Sequence, residues 1–307
     1  MKITKRVFVA GHATNSVMTD NARPIAGPRD QMRLKRDDAT GLEAVAARFH
    51  SHAYDMHFHD EWLVGVTHAG VQDFFCRGRR RQSTPGRVIL IEPGERHDGQ
   101  AVAADGFAYN MLYMPQALIR DAMGGNDAHI GFRQTLADDK ELFHAVARAC
   151  EAIFLEAPRL MIEDCRDRVT NHLFRHLSPH MGHDAAEKAA APHPVAARTM
   201  DYLRARFDEE FGLDELAEAV GAADRFQLSR GFRRAYGTSP HACLVQLRLA
   251  EARRLLREKV PPAEAAALSG FADQSHMGRW FRRAYGMTPA AYRRGRTNVP
   301  EIAAAKG

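Results

Sequence analysis

Residues 230 to 240 read RGFRRAYGTSP, and residues 279 to 289 read RWFRRAYGMTP. The offset is 49 residues, and between 216–242 and the segment 49 positions further on, 13 of 27 positions are identical. Self-similarity at a fixed period is the mark of a duplicated supersecondary unit. The chain must therefore fold into something that holds two like modules one after the other.

Each copy spells out its own boundaries. In LDELAEAVGAADRFQLSRGFRRAYG a short helix begins at Leu213 and ends at Gly221, a residue that tolerates the left-handed backbone of a tight turn. Asp224 is placed to cap a second helix, with Gln227 completing a capping box. On that helix Leu228, Phe232 and Tyr236 recur every four residues and face inward, which leaves Gln227, Arg230 and Arg234 outward. The second copy repeats the plan. Gly270 takes the turn, Asp273 the cap, Met277, Phe281 and Tyr285 the inner stripe, and His276, Arg279 and Arg283 the outer one. Both copies end in YG followed by Ser239-Pro240 or Thr288-Pro289, a stop, a cap and a first helical turn. Helix, glycine turn and capped helix make a helix-turn-helix. Between the copies PHACLVQLRLAEARRLLREK reads as one continuous helix, with Leu244, Leu247, Ala250 and Leu255 inward.

Charge follows the repeat. The whole chain carries a net +5, yet residues 225–296 hold 15 Lys plus Arg against 4 Asp plus Glu, and only one of the fifteen is lysine. The rest of the chain carries 28 Lys plus Arg against 34 Asp plus Glu and is net acidic. Arginine's planar fork suits phosphate oxygens and the guanine edge, so double-stranded DNA is the expected partner.

Ahead of the repeat the texture differs. Residues 1–41 carry no sustained period and read as an unstructured arm. From Leu42 to Met114 short apolar runs alternate with Gly and Pro breaks, the pattern of a small antiparallel barrel or sandwich. In EWLVGVT either Trp62, Val64 and Val66 or Leu63, Gly65 and Thr67 line the interior. After Pro115 the period turns helical, and Leu142, Val146, Ala149 and Ile153 form an amphipathic stripe open to two uses, packing on the barrel or pairing with a second chain. Residues 180–194, small and polar with a terminal proline, read as a linker. Cys76, Cys150, Cys165 and Cys243 form no CxxC pair and are expected as reduced thiols. No apolar run reaches a membrane span and no signal peptide opens the chain, so a cytoplasmic address and no membrane partner are expected.

The segment 195–294, with LRLAEARRLL in the connecting helix and GFADQSHMGRWFRRAYGMTPAAYRR at its end, resembles the DNA-binding domain of the AraC/XylS family of transcriptional regulators. The resemblance implies base contacts from Phe226, Gln227, Ser229 and Arg230 and from Gln274, Ser275, His276 and Arg279, with Arg233, Arg234, Arg282 and Arg283 on phosphates. The chain departs from the family at Pro262 and Ala265, where branched apolar residues are usual, and the second module is expected to be the less stable one. HFHDEWLVGVTHAG and GRVILIEPGERHDGQ resemble the ligand-binding cupin barrel at the amino end of many AraC-type regulators.

These features imply an α+β multidomain chain: a cupin-like β-barrel with flanking helices, then an all-α double helix-turn-helix domain. The expected division is an arm at 1–41, an effector-binding and dimerisation domain at 42–179, the linker at 180–194, the DNA-binding domain at 195–296 and a tail at 297–307. His57, His59, Trp62, His97 and Tyr109 are the candidate effector contacts, with Phe74 and Phe107 as further lining. Metal-binding cupins place their glutamate several residues beyond the HxH pair, whereas Glu61 follows His59 by two. No metal and no cofactor are therefore expected. The implied function is a transcription factor controlled by a small-molecule effector, a homodimer with RNA polymerase as a further partner. The alternative is a cupin metalloenzyme with a nucleic-acid-binding carboxyl domain. No Ser-His-Asp order, P-loop or GxGxxG favours an enzyme.

Overall fold

A computed structural model of the chain describes residues 30–123, 130–179 and 193–299. The arm before residue 30, nearly all of the expected linker and the tail beyond 299 lie outside the described residues. Two antiparallel sheets enclose the amino-terminal core. The larger is built from β1 (Gln31–Arg36), β2 (Glu43–Phe49), β4 (Trp62–Gly70), β7 (Val88–Ile91), β9 (Phe107–Met114), β11 (Leu136–Ala137) and β13 (Arg296–Val299), in the order β11-β7-β4-β9-β2-β1-β13. The smaller contains β3 (Tyr54–His57), β5 (Gln72–Cys76), β6 (Arg79–Ser83) and β8 (His97–Ala101), in the order β3-β8-β5-β6. A short pair, β10 (Ile130–Phe132) and β12 (Leu177–Pro179), stands apart from both.

The pleat of β4 settles its ambiguous face. Leu63 joins the core between the sheets, while Trp62, Val64 and Val66 pack outside against the helices α2 (Lys140–Phe154) and α3 (Arg159–Leu173). A strand buried on both faces shows no alternation of polarity, which is why the sequence left the choice open. The stripe Leu142, Val146, Ala149 and Ile153 is at most 1% exposed, covered within the same cluster. Its use is packing on the barrel, and as a surface for a second chain it is ruled out. Cys76, Cys150 and Cys165 are buried free thiols, and Cys243 is half-buried.

After α1 (Gln116–Ala122), α2 and α3, the carboxyl half contains α4 (Pro194–Ala205), α5 (Leu213–Ala219), α6 (Arg225–Tyr236), α7 (Pro240–Arg257), α8 (Pro262–Leu268), α9 (Gln274–Tyr285) and α10 (Pro289–Arg294). The caps fall where the sequence puts them. Asp224 accepts from the Gln227 N–H at 2.6 Å, and Asp273 accepts from the His276 N–H at 2.6 Å. Ser239 and Thr288 cap α7 and α10 in the same way. Gly286 ends α9 at φ +72, where an added Cβ would also stand 3.2 Å from the Met32 sulfur and 3.3 Å from the Tyr54 hydroxyl. Glycine is needed there both for the backbone and for the close approach to the barrel.

That approach is extensive. One continuous core runs from Val45, Phe49 and Tyr109 of the barrel through Leu249 and Leu256 of α7 to Met277, Phe281 and Tyr292 of the second module. The strand β13 extends the larger sheet by pairing with β1, a segment expected in the unstructured arm. Along α7 the deepest residues are Leu249, Ala252 and Leu256, while Leu247 and Ala250, expected inward, are half-buried. The helix is covered on two sides, and the repeat's period revealed only one of them.

The first module keeps a smaller core of its own, built around Leu203, Leu216, Leu228, Phe232 and Leu244. Pro262 is half-buried, and Ala265 is buried where the first module has Leu216, a smaller side chain as expected, but Ala265 contributes to the shared core. This packing predicts the reverse order of stability. Native-state hydrogen exchange should show the amides of α6 exchanging faster than those of α9, since local opening follows the extent of burial. Slower exchange in α6 would reinstate the order read from the sequence.

Candidate functional site

The barrel interior holds a cavity of about 30 Å³. His57 closes β3 opposite His97 of β8. His59 lies just beyond the strand end yet still turns inward, its carbonyl accepting from the Gly94 N–H at 2.7 Å. This bond ties the Pro-Gly turn before His97 to the HxH segment. All three imidazoles are buried, with ring centroids 4.4 to 5.3 Å apart. The Nδ1–H of His57 donates to the Asp55 carbonyl at 2.6 Å, and that of His97 to the Glu95 carbonyl at 2.9 Å. A carbonyl can only accept, so Nε2 of each ring carries the lone pair. Burial pushes His57 and His59 well below the ordinary imidazole range and His97 down to about 4. The cluster is neutral at physiological pH.

Aromatic hydroxyls face the imidazoles. Tyr54 and Tyr109 share a 2.8 Å hydrogen bond, and burial raises Tyr109 to about 12. The lid comes from elsewhere in the chain: Tyr285, the last residue of α9, lies 5.4 Å from the His59 ring and 5.8 Å from the His57 ring. Ala284 lines the cavity beside it. Of the candidate contacts, His57, His59, His97 and Tyr109 come together here, as does Phe74. Trp62 does not, because its strand face points outward and its ring meets Phe132 at 5.0 Å. Phe107 packs on Phe49 and Tyr109, outside the cavity lining. Sequence reasoning missed Tyr54, Tyr113 and Tyr285, the last because its four-residue spacing marked it as module core.

A buried ionic cluster holds the lid down. Glu43 accepts from Arg36 at 2.7 Å, from Arg253 at 3.1 Å and from the Tyr292 hydroxyl at 3.1 Å. Glu61 accepts from Arg253 at 2.5 Å and also pairs with Arg257. Burial pushes the Glu43 carboxyl up, but Arg253 and Arg36 outweigh it and hold the group below the usual carboxylate range. Glu61 is therefore spent on α7 and is no companion to the histidines. Further links join Arg283 to Asp55 at 2.7 Å and the Arg96 guanidinium to the Tyr236 carbonyl at 2.7 Å.

The opposite face of the carboxyl half is free of the barrel. Phe226, Gln227, Arg230, Arg233 and Arg234 of α6 are exposed, as are Gln274, Ser275, Arg279 and Arg282 of α9; Ser229 and His276 are half-buried. The His276 Nε2 accepts from the Trp280 indole at 3.0 Å, which restricts that ring. Arg283 is exposed but already paired with Asp55. Each of the two capped helices thus presents exposed arginines.

Residues 40–168 match the model of the AraC-like ligand binding domain, and residues 216–295 match that of a helix-turn-helix domain. The chain belongs to the AraC family of transcriptional regulators. A relative named as the uncharacterized HTH-type transcriptional regulator YbfI of Bacillus subtilis (strain 168) is 25% identical over 244 residues, 76% of this chain and 84% of the relative. In fold this AraC-family regulator is similar to ToxT from Vibrio cholerae O395, with a TM-score of 0.51 and 11% identity over 89% of this chain and 100% of that one. A ToxT structure from strain SCE256, described as bound to unsaturated fatty acid, is similar at TM-score 0.50 and 11% identity, covering 89% of this chain and 96% of that one. The pair of matches assigns ligand binding to the sheet-rich half and DNA binding to the helical half. No helix among the described residues is long and apolar enough to cross a membrane.

Proposed function

We propose that the barrel controls operator binding by holding or releasing the second helix-turn-helix module. The carrying observation is that Tyr285, part of α9, lines the cavity that contains the three histidines and packs on the His59 ring. An organic effector of ordinary size needs roughly 300–1000 Å³. The cavity offers about 30 Å³, so such a ligand is accommodated only if the lining moves apart, Tyr285 and the helix carrying it included. Effector binding and module docking then compete, and by linkage each weakens the other. Arg283 sits at the switch, because the guanidinium that pairs with Asp55 is the one suited to a DNA phosphate.

On this reading the regulator acts in the cytoplasm as a homodimer and contacts RNA polymerase from its DNA-bound form. The exposed Leu155, Leu160 and Met161, around the turn between α2 and α3, support a pairing surface at that end. Base readout belongs to Phe226, Gln227, Ser229 and Arg230 on α6 and to Gln274, Ser275, His276 and Arg279 on α9, and phosphate contacts to Arg233, Arg234, Arg282 and Arg283.

Two substitutions test the division of labour at the DNA surface. Arg230→Ala is expected to weaken specific binding by roughly 1–3 kcal/mol and to relax preference at a single base position. Arg282→Ala is expected to weaken specific and non-specific DNA alike and to flatten the salt dependence. Binding-site selection and salt titrations on both variants measure this. Equal, sequence-independent losses would remove the assignment.

A further inference from the structure

The three imidazoles are arranged for more than packing. Their ligand nitrogens lie within 4.8 Å of one another, all from buried side chains. His57 and His97 each spend Nδ1–H on a backbone carbonyl, which leaves Nε2 of each ring unprotonated and able to act as a ligand. Metal-binding histidines are held in this way, the distal ring nitrogen fixed so that the other is presented with its lone pair. His59 supplies an independent sign, since its Nδ1 is buried and has no hydrogen-bond partner among the described residues. A buried polar nitrogen without a partner is costly in a core, and three converging lone pairs add mutual repulsion. A cation among them resolves both.

Size points the same way. In a cavity of about 30 Å³ there is room for an ion with a solvent molecule or two. The sequence argued against a metal from the position of Glu61, and Glu61 is indeed committed to Arg253 and Arg257. Three imidazoles with an open fourth position form a complete zinc-type site without any carboxylate. The nitrogens of such a site stand roughly 3.3 Å apart at metal–nitrogen distances of about 2.0–2.1 Å. Small side-chain rotations bring a 4.8 Å cluster to that spacing.

We propose that His57, His59 and His97 bind one divalent first-row transition ion of the Zn²⁺, Co²⁺ and Ni²⁺ class, imidazole being the ligand these ions share. The fourth position is left to solvent or to an oxygen ligand. The site deepens the reading of the barrel as the sensing domain and rests on that reading for its regulatory meaning. The Tyr285 ring lies beside the triad, so occupancy of the site is felt at α9.

The test uses the full chain, stripped with chelator and titrated with Co²⁺. The expected result is one equivalent per chain with the visible absorption of a four- or five-coordinate Co²⁺ ion. His57→Gln and His97→Gln should each weaken binding about 100-fold or more, and His144→Gln, an exposed histidine, should leave it unchanged. If a triad variant fails to fold, proton NMR of the Co²⁺-loaded wild-type chain decides: hyperfine-shifted, exchangeable imidazole N–H signals support the site, and their absence overturns it. Binding no tighter than about 1 mM, or an absorption band retained in both triad variants, also overturns it. Operator binding is measured on the same samples. Loss of the metal result with operator binding intact defeats this inference alone, whereas a bound ion that leaves operator affinity unchanged upholds the site and defeats the sensing role.

Discussion

Replacing Arg253 by methionine is expected to lower the stability of the barrel and second module by about 3 kcal/mol, the lower end of the range for removing one partner of a buried ion pair. Arg253 is 5% exposed and donates to carboxylates of two different strand regions, Glu61 at 2.5 Å and Glu43 at 3.1 Å. Its removal leaves both carboxylates buried with fewer donors, though Arg36 still serves Glu43 and Arg257 still serves Glu61. Those remaining partners set the value at the low end. The loss should fall on barrel and second module together, because they share one core, and should spare the first module. Urea unfolding followed by hydrogen exchange at α6, α9 and β4 measures both points. Adding Glu43→Gln and Glu61→Gln to Arg253→Met should deepen the loss, since Arg36 and Arg257 are then left without a carboxylate. A change within about 0.5 kcal/mol for Arg253→Met alone would show that the cluster does not hold the module to the barrel.

Arg253 also marks where sequence reading stops. It lies in LRLAEARRLL beside Arg254, and only contact with residues 192 and 210 positions away makes one arginine buried and leaves its neighbour exposed. Local period cannot carry that information. The helix-turn-helix copies, by contrast, were legible nearly residue by residue, since caps at Asp224 and Asp273 and stops at Gly237 and Gly286 are decided within one or two turns. The histidine cluster was legible for a similar reason: an HxH string and a Pro-Gly-x-x-His string each fix a local direction. What covers the cluster was not. Tyr285 was correctly read as buried, but its neighbours were assigned to its own module when they include the barrel. The strand β1 was missed because Met32 and Leu34 alternate with charged residues over six positions inside an otherwise unpatterned arm. For Trp62 the residue's burial was foreseeable and the side of the sheet was not, because both faces of β4 are covered.

Insertion of 5 base pairs between the two halves of the operator is expected to reduce affinity about 100-fold or more, toward one module plus non-specific contacts. The reason lies in α7. At 18 residues it is roughly 27 Å long, and one turn of DNA separates successive major-groove faces by about 34 Å. The helix is fastened at both ends. Arg248 donates to the Phe207 and Glu209 carbonyls at 2.7 Å, which anchors it to the first module, and Arg293 donates to the Lys259 carbonyl at 2.7 Å, which anchors α10 of the second module to its end. Leu244 sits in the first module's core, and Leu249 and Leu256 sit in the second's. Turning one recognition helix by half a helical turn of DNA would require breaking α7 or emptying one of those cores, each costing several kcal/mol. The two helices also differ at their tips, with Phe226 and Gln227 on α6 where α9 carries Ser275 and His276. The two half-sites should accordingly differ in sequence, and the site bound by one chain should be directional. Binding is compared for the native operator, the 5-base-pair insertion and an operator with the second half scrambled. Equal affinity for the native and inserted sites would mean that the duplicated modules do not act as a rigid pair. Affinity regained with a 10-base-pair insertion would mean that the chain bridges the halves by a flexible connection, which the anchored α7 does not permit.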